Sequence, residues 1–124
     1  FEPVLGKMRT NREKVLRMAE ECAGMGAKIV VFPELCTSGC MLESREETYR
    51  AAEPVPNGPT TQGLAEIAAR RGIYIVAGLA ELGEDGVSCY NSAVLVGPGG
   101  YVGKLRKLDL WDVDKLYFEP GDLG

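Results

Sequence analysis

The 124-residue sequence contains no histidine. Without an imidazole, neither a Ser-His-Asp nor a Cys-His catalytic arrangement can form within this chain, and nearly every type of catalytic zinc site is excluded. No apolar run approaches the roughly 18 residues that a membrane helix needs, so we expect no membrane partner. The net charge of −4 argues against nucleic acid as a partner.

Cysteines are few and scattered, at positions 22, 36, 40 and 89. This spacing does not resemble a disulfide scaffold, so we interpret them as reduced thiols in a cytoplasmic protein. Cys36 and Cys40 form a C-x3-C pair, but a structural zinc site would need further paired ligands. A nucleophilic role would need a base and an oxyanion site, so buried or loop thiols are the favoured interpretation. We therefore expect no metal and no cofactor.

The composition is typical of a globular protein, with 45% hydrophobic and 26% charged residues, and predicts one domain over residues 1–124. The apolar periodicity predicts helices alternating with strands, and therefore an α/β domain with a mixed sheet. A capping-box pattern, Thr10-x-x-Glu13, marks the predicted start of the first helix. The remaining predicted elements are a buried parallel strand at 27–32, a short helix within 43–53, a helix over 61–71, and strands at 73–82, 87–97 and 101–110.

Glu34 directly follows the first predicted strand, after Phe32 and Pro33. In open α/β sheets functional groups collect beyond the carboxyl ends of strands, and a proline there ends the ladder. Glu34 is therefore a candidate general base. The alternative from position alone is a surface or helix-capping glutamate.

A cluster of basic residues, Lys104, Arg106 and Lys107, lies in the last predicted strand. One interpretation is a solvated edge strand. Alternation places Lys107 on the apolar face beside Leu105, where a lysine needs a partner, a function or a route to solvent. Asn91, which follows a tight turn, is expected only to satisfy backbone groups of a neighbouring loop.

Three stretches together resemble the nitrilase superfamily of carbon–nitrogen hydrolases: "GAKIVVFPELCTSG", "YIVAGLAE" and "YNSAVLVGPGGYVGKLRKLDLWDVDKLYFEPGD". The resemblance covers essentially the whole chain. Its specific parts are PEL after an apolar strand, and R-K-x-x-L followed by F-x-P-G.

The resemblance implies a Glu-Lys-Cys mechanism, with Glu34 as general base and Lys107 stabilising the tetrahedral intermediate. Asp114 stands where the family often has a second glutamate, seven residues after the lysine. Asp109 stands where a histidine is common, and Cys40 where a tyrosine is common. The scheme requires neither histidine nor metal.

The family's nucleophilic cysteine lies some 30 residues beyond the lysine, so we expect it outside this chain. The resemblance implies an α-β-β-α sandwich, present here as roughly its first half, a partial domain over residues 1–124 with a mixed sheet and two main helices. The first strand of the family is also expected to be missing. The inner apolar face of this half would normally pack on the rest of the protein.

We therefore expect part of a cysteine-dependent hydrolase of amide, nitrile or N-carbamoyl small molecules, inactive by itself and a homo-oligomer in full length. The alternative is a non-catalytic binding or assembly module with the same fold, which Asp109 and Asp114 favour. The specific substrate and the substrate-binding residues are not predicted.

Overall fold

Five strands form one mixed sheet in the computed structural model, which describes residues 1–40 and 42–122. The central strand β3 pairs with β1 and β2 in parallel and with β4 antiparallel, and β4 pairs with β5 antiparallel. The expected mixed sheet is therefore confirmed. The strands are β1 (Ile29–Val31), β2 (Glu53–Pro54), β3 (Tyr74–Leu82), β4 (Cys89–Gly97) and β5 (Gly100–Arg106).

Two long helices, α1 (Met8–Gly24) and α3 (Pro59–Arg71), pack against one face of this sheet. Two short helices, α2 (Arg45–Ala51) and α4 (Asp114–Tyr117), accompany them. The two main helices and the short helix within 43–53 were predicted. None of the helices in the described part of the chain combines the length and apolarity needed to cross a membrane.

The predicted start of α1 is wrong. The helix begins at Met8, before Thr10, and Lys7 precedes it without any side-chain cap. Asn11 is buried instead, where its amide donates to the carbonyls of Val4 and Thr37 and accepts from the Val4 N–H. The capping-box residues thus lie within the first turns of the helix, and Asn11 instead anchors the preceding segment to the core.

The core lies between the sheet and the two long helices. Apolar residues that alternate along the strands point towards Val15, Ala19, Leu64, Ile67 and Ala68 of the helices. Alternation along a strand puts every second side chain on this face. The strand residues on it are Val30, Ile75, Ala77, Leu79, Val94 and Val96.

Among residues 1–40 and 42–122, the opposite face of the sheet is covered at one end only. Near the carboxyl end of β3, Ala80 and Cys89 pack with Leu35, Leu42 and Phe118. At the other end Ile29 and Val31 are 65% and 68% exposed. The prediction that the first strand is buried is therefore wrong for these two residues, although its parallel pairing is confirmed. Only Val30 between them faces the helices.

A buried ionic cluster lies on the helix side of β3 and β5. Glu81 is completely buried and accepts hydrogen bonds from Lys104, Ser92 and Arg106, whose Nη2 lies 2.7 Å from Glu81 Oε1. Arg106 stacks 3.8 Å from the centre of the Tyr90 ring. The side chains of Lys104 and Arg106 are thus not solvated. Alternation along β5 places both on the face where the buried Glu81 carboxylate lies.

Candidate active site

Glu34 lies on a bend where the chain leaves β1. Phe32 still donates to the Val76 carbonyl at 2.8 Å, but Pro33 has no N–H and regular pairing ends there. Leu35 adopts a left-handed conformation with φ 48°, and Cys36 then donates to the Gly78 carbonyl at 2.9 Å. The bend therefore rests against β3 and holds Glu34 beyond the end of β1, as the strand-end argument predicted.

Gly78 is what allows this bend to approach β3 so closely. A Cβ at this position would lie 2.5 Å from the Glu34 Cα and 2.8 Å from the Pro33 carbonyl oxygen. Since these are backbone atoms, no side-chain rotation could relieve the overlap. Glycine at position 78 is therefore part of the architecture that positions Glu34.

Lys107 follows the last residue of β5 and is held through its backbone. Its N–H donates to the Asn91 carbonyl at 2.8 Å, and its carbonyl accepts from the Gly121 N–H at 2.9 Å. Its side chain is on the same side of the sheet as Leu105, the face that alternation predicted. Since its ammonium group also contacts two carboxylates, the lysine is neither a snorkelling residue nor unpartnered.

The ammonium group of Lys107 lies between two carboxylates. Its Nζ is 3.0 Å from Glu34 Oε1 and 2.7 Å from Asp114 Oδ2. The hydrogen bond to Asp114 is the main cause that raises the pKa of Lys107, with the Glu34 carboxylate adding to it against a partial loss of hydration. Lys107 is consequently an ammonium ion throughout the neutral pH range.

Asp114 is brought to Lys107 by the turn of chain that follows β5. It is the first residue of α4, and the helix places its carboxylate against Nζ with only 14% of the side chain exposed. The shorter side chain of aspartate therefore still makes the contact expected of a longer glutamate. Asp109, by contrast, makes no side-chain hydrogen bond or ion pair with this cluster within the described residues.

Asn91 also belongs to this site, although the sequence indicated for it no more than a backbone contact. Its Nδ2 lies 2.6 Å from Glu34 Oε1, and its own carbonyl accepts the Lys107 N–H. A carboxylate oxygen only accepts hydrogen bonds, so the amide nitrogen must face it. The "YNSA" stretch carried no signal for this, because the contact depends on how β4 is placed between β3 and β5.

Two depressions meet at Glu34 and Lys107. The first, of about 330 Å³, is lined on its apolar side by Phe32, Val76 and Leu105. The second, of about 360 Å³, is lined by Cys40, Trp111, Val113 and Asp114. The charged pair therefore faces open space on both sides, with predominantly apolar walls.

All four cysteines are free thiols. Burial raises the pKa of Cys36 to about 12. Cys40 is exposed near the site, but partial burial, followed by the charges of Glu34 and Asp114, raises the pKa of its thiol despite the opposing effect of Lys107. Both thiols are therefore mostly protonated at neutral pH, the reverse of what an activated nucleophile requires.

Comparisons of sequence and structure group this chain with carbon–nitrogen hydrolases. The carbon–nitrogen hydrolase family model matches residues 3–123. The chain is 47% identical over 114 residues to a nitrilase from Pyrococcus abyssi, covering 92% of this chain and 43% of that protein. It is 34% identical over 117 residues to an (R)-stereoselective amidase from Pseudomonas sp, covering 94% of this chain and 40% of that protein.

A solved structure with the same fold is XC1258 from Xanthomonas campestris, described as a CN-hydrolase superfamily protein. It superposes with a TM-score of 0.81 at 24% identity, over 97% of this chain and 43% of that one. The chain thus belongs to the carbon–nitrogen hydrolase family, the nitrilase superfamily indicated by its motifs. It spans about two fifths of the length of the curated relatives just described, which are covered to 43% and 40%.

Proposed function

We propose that the protein containing this chain is a cysteine-dependent hydrolase of non-peptide carbon–nitrogen bonds in amides, nitriles or N-carbamoyl compounds. The observation that carries the proposal is the contact of Lys107 with both Glu34 and Asp114 at the edge of an open cavity. Family membership and relatives named nitrilase and amidase support the same chemistry.

Glu34 acts as the general base. Nucleophilic attack on a carbonyl or nitrile carbon requires a thiolate, whereas a free thiol has a pKa of about 8.5 and is mostly protonated at neutral pH. The Glu34 carboxylate takes the thiol proton, and the sulfur electron pair forms the bond to carbon. As the C–S bond forms, the π electrons of the C=O or C≡N bond move to oxygen or nitrogen.

Lys107 stabilises the negative charge that develops in this step. Its pKa is raised by Asp114 and Glu34, so it remains an ammonium ion when charge appears on the substrate. A fixed cation about 3 Å from a developing oxyanion in a water-poor site contributes several kcal/mol to lowering the barrier. Asp114 orients the ammonium group through its 2.7 Å contact.

The nucleophilic cysteine belongs to a part of the protein outside residues 1–124. Cys36 is buried with a pKa raised to about 12, and Cys40 has a raised pKa beside two carboxylates. A raised thiol pKa makes removal of the proton by Glu34 more costly, so neither thiol is suited to be the nucleophile. Residues 1–124 alone are accordingly expected to show no turnover.

The non-catalytic module stays an alternative with less support. It was favoured by Asp109 and Asp114, but the Asp114 contact with Lys107 is one that a catalytic role would require. Homo-oligomerisation and a cytoplasmic location remain predictions from the family resemblance and the reduced thiols.

The test is hydrolysis of simple amides, nitriles and N-carbamoyl compounds by the full-length protein carrying Glu34→Gln or Lys107→Ala. Each substitution is expected to lower kcat/KM by about 10²-fold or more, since each removes a group acting in the transition state. Glu66→Gln and Lys28→Ala are matched controls at exposed positions away from the site. Unchanged turnover in both site variants would overturn the assigned roles.

A further inference from the structure

Asn91 is the one described residue whose side chain and backbone each contact a different member of the charged pair. Its side-chain amide donates to Glu34 Oε1 at 2.6 Å, while its carbonyl accepts the Lys107 N–H at 2.8 Å. It is 4% exposed and lies opposite Ala80 in the β3–β4 register. Strand β4 thus helps determine how Glu34 and Lys107 are placed relative to each other.

The two carboxylate oxygens of Glu34 differ in their surroundings. Oε1 accepts from both Asn91 Nδ2 and Lys107 Nζ, at 2.6 and 3.0 Å. Within the described residues no hydrogen-bond donor reaches Oε2. Terminal carboxylate torsions usually have broad, shallow energy minima. With two donors on Oε1, however, the Glu34 carboxylate cannot rotate about this torsion without losing both contacts.

We propose that Asn91 is a positioning residue that fixes the Glu34 carboxylate by its Oε1 atom, so that Oε2 is the oxygen that receives the proton of the nucleophile. This inference rests on the proposed role of Glu34 as general base. In that step the S–H bond breaks, an O–H bond forms at Oε2, and the electron pair stays on sulfur.

The residue type matters because the contact must be both neutral and donating. An aspartate at position 91 would place a second carboxylate at about hydrogen-bond distance from Glu34, where two negative charges repel. A serine keeps a donor but is too short to reach the same oxygen. Every such variant retains the backbone carbonyl that holds Lys107, so only the contact with Glu34 is changed.

The experiment is a double-mutant cycle in the full-length protein, with Asn91→Ala, Glu34→Gln and the combined variant. Asn91→Ala alone is expected to lower kcat by about 10- to 100-fold with KM changed less than about threefold, because a misaligned base loses rate rather than binding. In the combined variant the rate should equal that of Glu34→Gln alone. A residue acting only through Glu34 has nothing further to lose once the base is gone.

Reductions that multiply in the combined variant, or an Asn91→Ala enzyme with unchanged kcat, would overturn the inference while leaving Glu34 as the base. An unchanged rate in Glu34→Gln alone would instead reject the proposed function, and the inference with it. The unfolding midpoint of each variant is measured together with its kcat. Should Asn91→Ala not fold, Asn91→Ser, which keeps a hydroxyl at the buried position, gives the same cycle. Asn11→Ala is the control for losing another buried asparagine, and it is expected to lower the unfolding midpoint without lowering kcat per folded molecule.

Discussion

Replacing Gly78 by alanine is expected to displace the general base without altering any charged residue. The added Cβ would lie 2.5 Å from the Glu34 Cα, about 1 Å short of the ~3.5 Å at which carbon atoms ordinarily meet. The bend at Glu34 must therefore move away from β3 by about 1 Å. A shift of that size takes the Glu34 carboxylate out of hydrogen-bonding range of Asn91 and Lys107, which lie 2.6 and 3.0 Å away.

Two consequences follow for Gly78→Ala in the full-length protein. Overpacking of this kind costs about 1–3 kcal/mol of unfolding free energy, measurable by urea denaturation. Misplacing a catalytic group by about 1 Å costs about 10²-fold in rate, measurable as kcat on an amide substrate. The loss should fall on kcat per folded molecule and not only on the amount of folded protein.

Gly103→Ala is the matched control, since a Cβ at this position in β5 meets no atom within 4 Å. It should preserve the rate, and its effect on stability should be small. If Gly78→Ala were as active and as stable as Gly103→Ala, the close approach between the Glu34 bend and β3 would not position the base, and the reasoning would fail.

Two further predictions concern buried groups away from the proton-transfer step. Glu81→Gln should cost about 3 kcal/mol of unfolding free energy at pH 7. It removes the one buried carboxylate of the cluster and, among the described residues, leaves Lys104 and Arg106 paired only with exposed carboxylates, those of Glu84 and Asp122. The exposed Glu66→Gln should change the unfolding free energy by less than about 0.5 kcal/mol. Burial raises the pKa of Glu81, but hydrogen bonds led by Arg106 outweigh it and lower the pKa. The stabilisation by the Glu81 carboxylate is thus fully present above the unfolded pKa of about 4.3 and is lost as pH falls through the lower folded pKa. The difference in unfolding free energy between wild type and Glu81→Gln, measured by urea denaturation, should therefore narrow as the pH falls below about 4. With iodoacetamide at pH 8, Cys36 should stay unmodified by mass spectrometry in the folded protein, because it is buried with a pKa of about 12, while the exposed Cys40 reacts first. Rapid labelling of folded Cys36 would contradict its burial.

Glu34 and Lys107 were both identifiable as candidates from local patterns. A strand ending in proline places the next carboxylate at a sheet edge, and a lysine in phase with Leu105 needs a partner. Their role assignment and the choice of Asp114 came from the family resemblance. The structure brings these residues together, and what each does in catalysis stays a prediction.

Asn91 and Glu81 could not be found in this way. Asn91 matters through its position between Glu34 and Lys107, which are 57 and 16 residues away along the chain. Glu81 is a charge in an apolar strand, but its burial depends on Arg106, which is 25 residues further on. Such contacts are specified by strand register, and hydrophobic periodicity does not encode which strands become neighbours.

Local periodicity and composition are enough to predict the types of element, their approximate limits, and the absence of imidazole from residues 1–124. The tertiary structure alone decided that α1 begins before its capping-box pattern, that Arg106 is buried with Glu81, and that Asn91 contacts Glu34. The physical reason is the same in each case. Burial and hydrogen-bond satisfaction are determined by residues distant in sequence, and only the assembled sheet and helices bring them within reach.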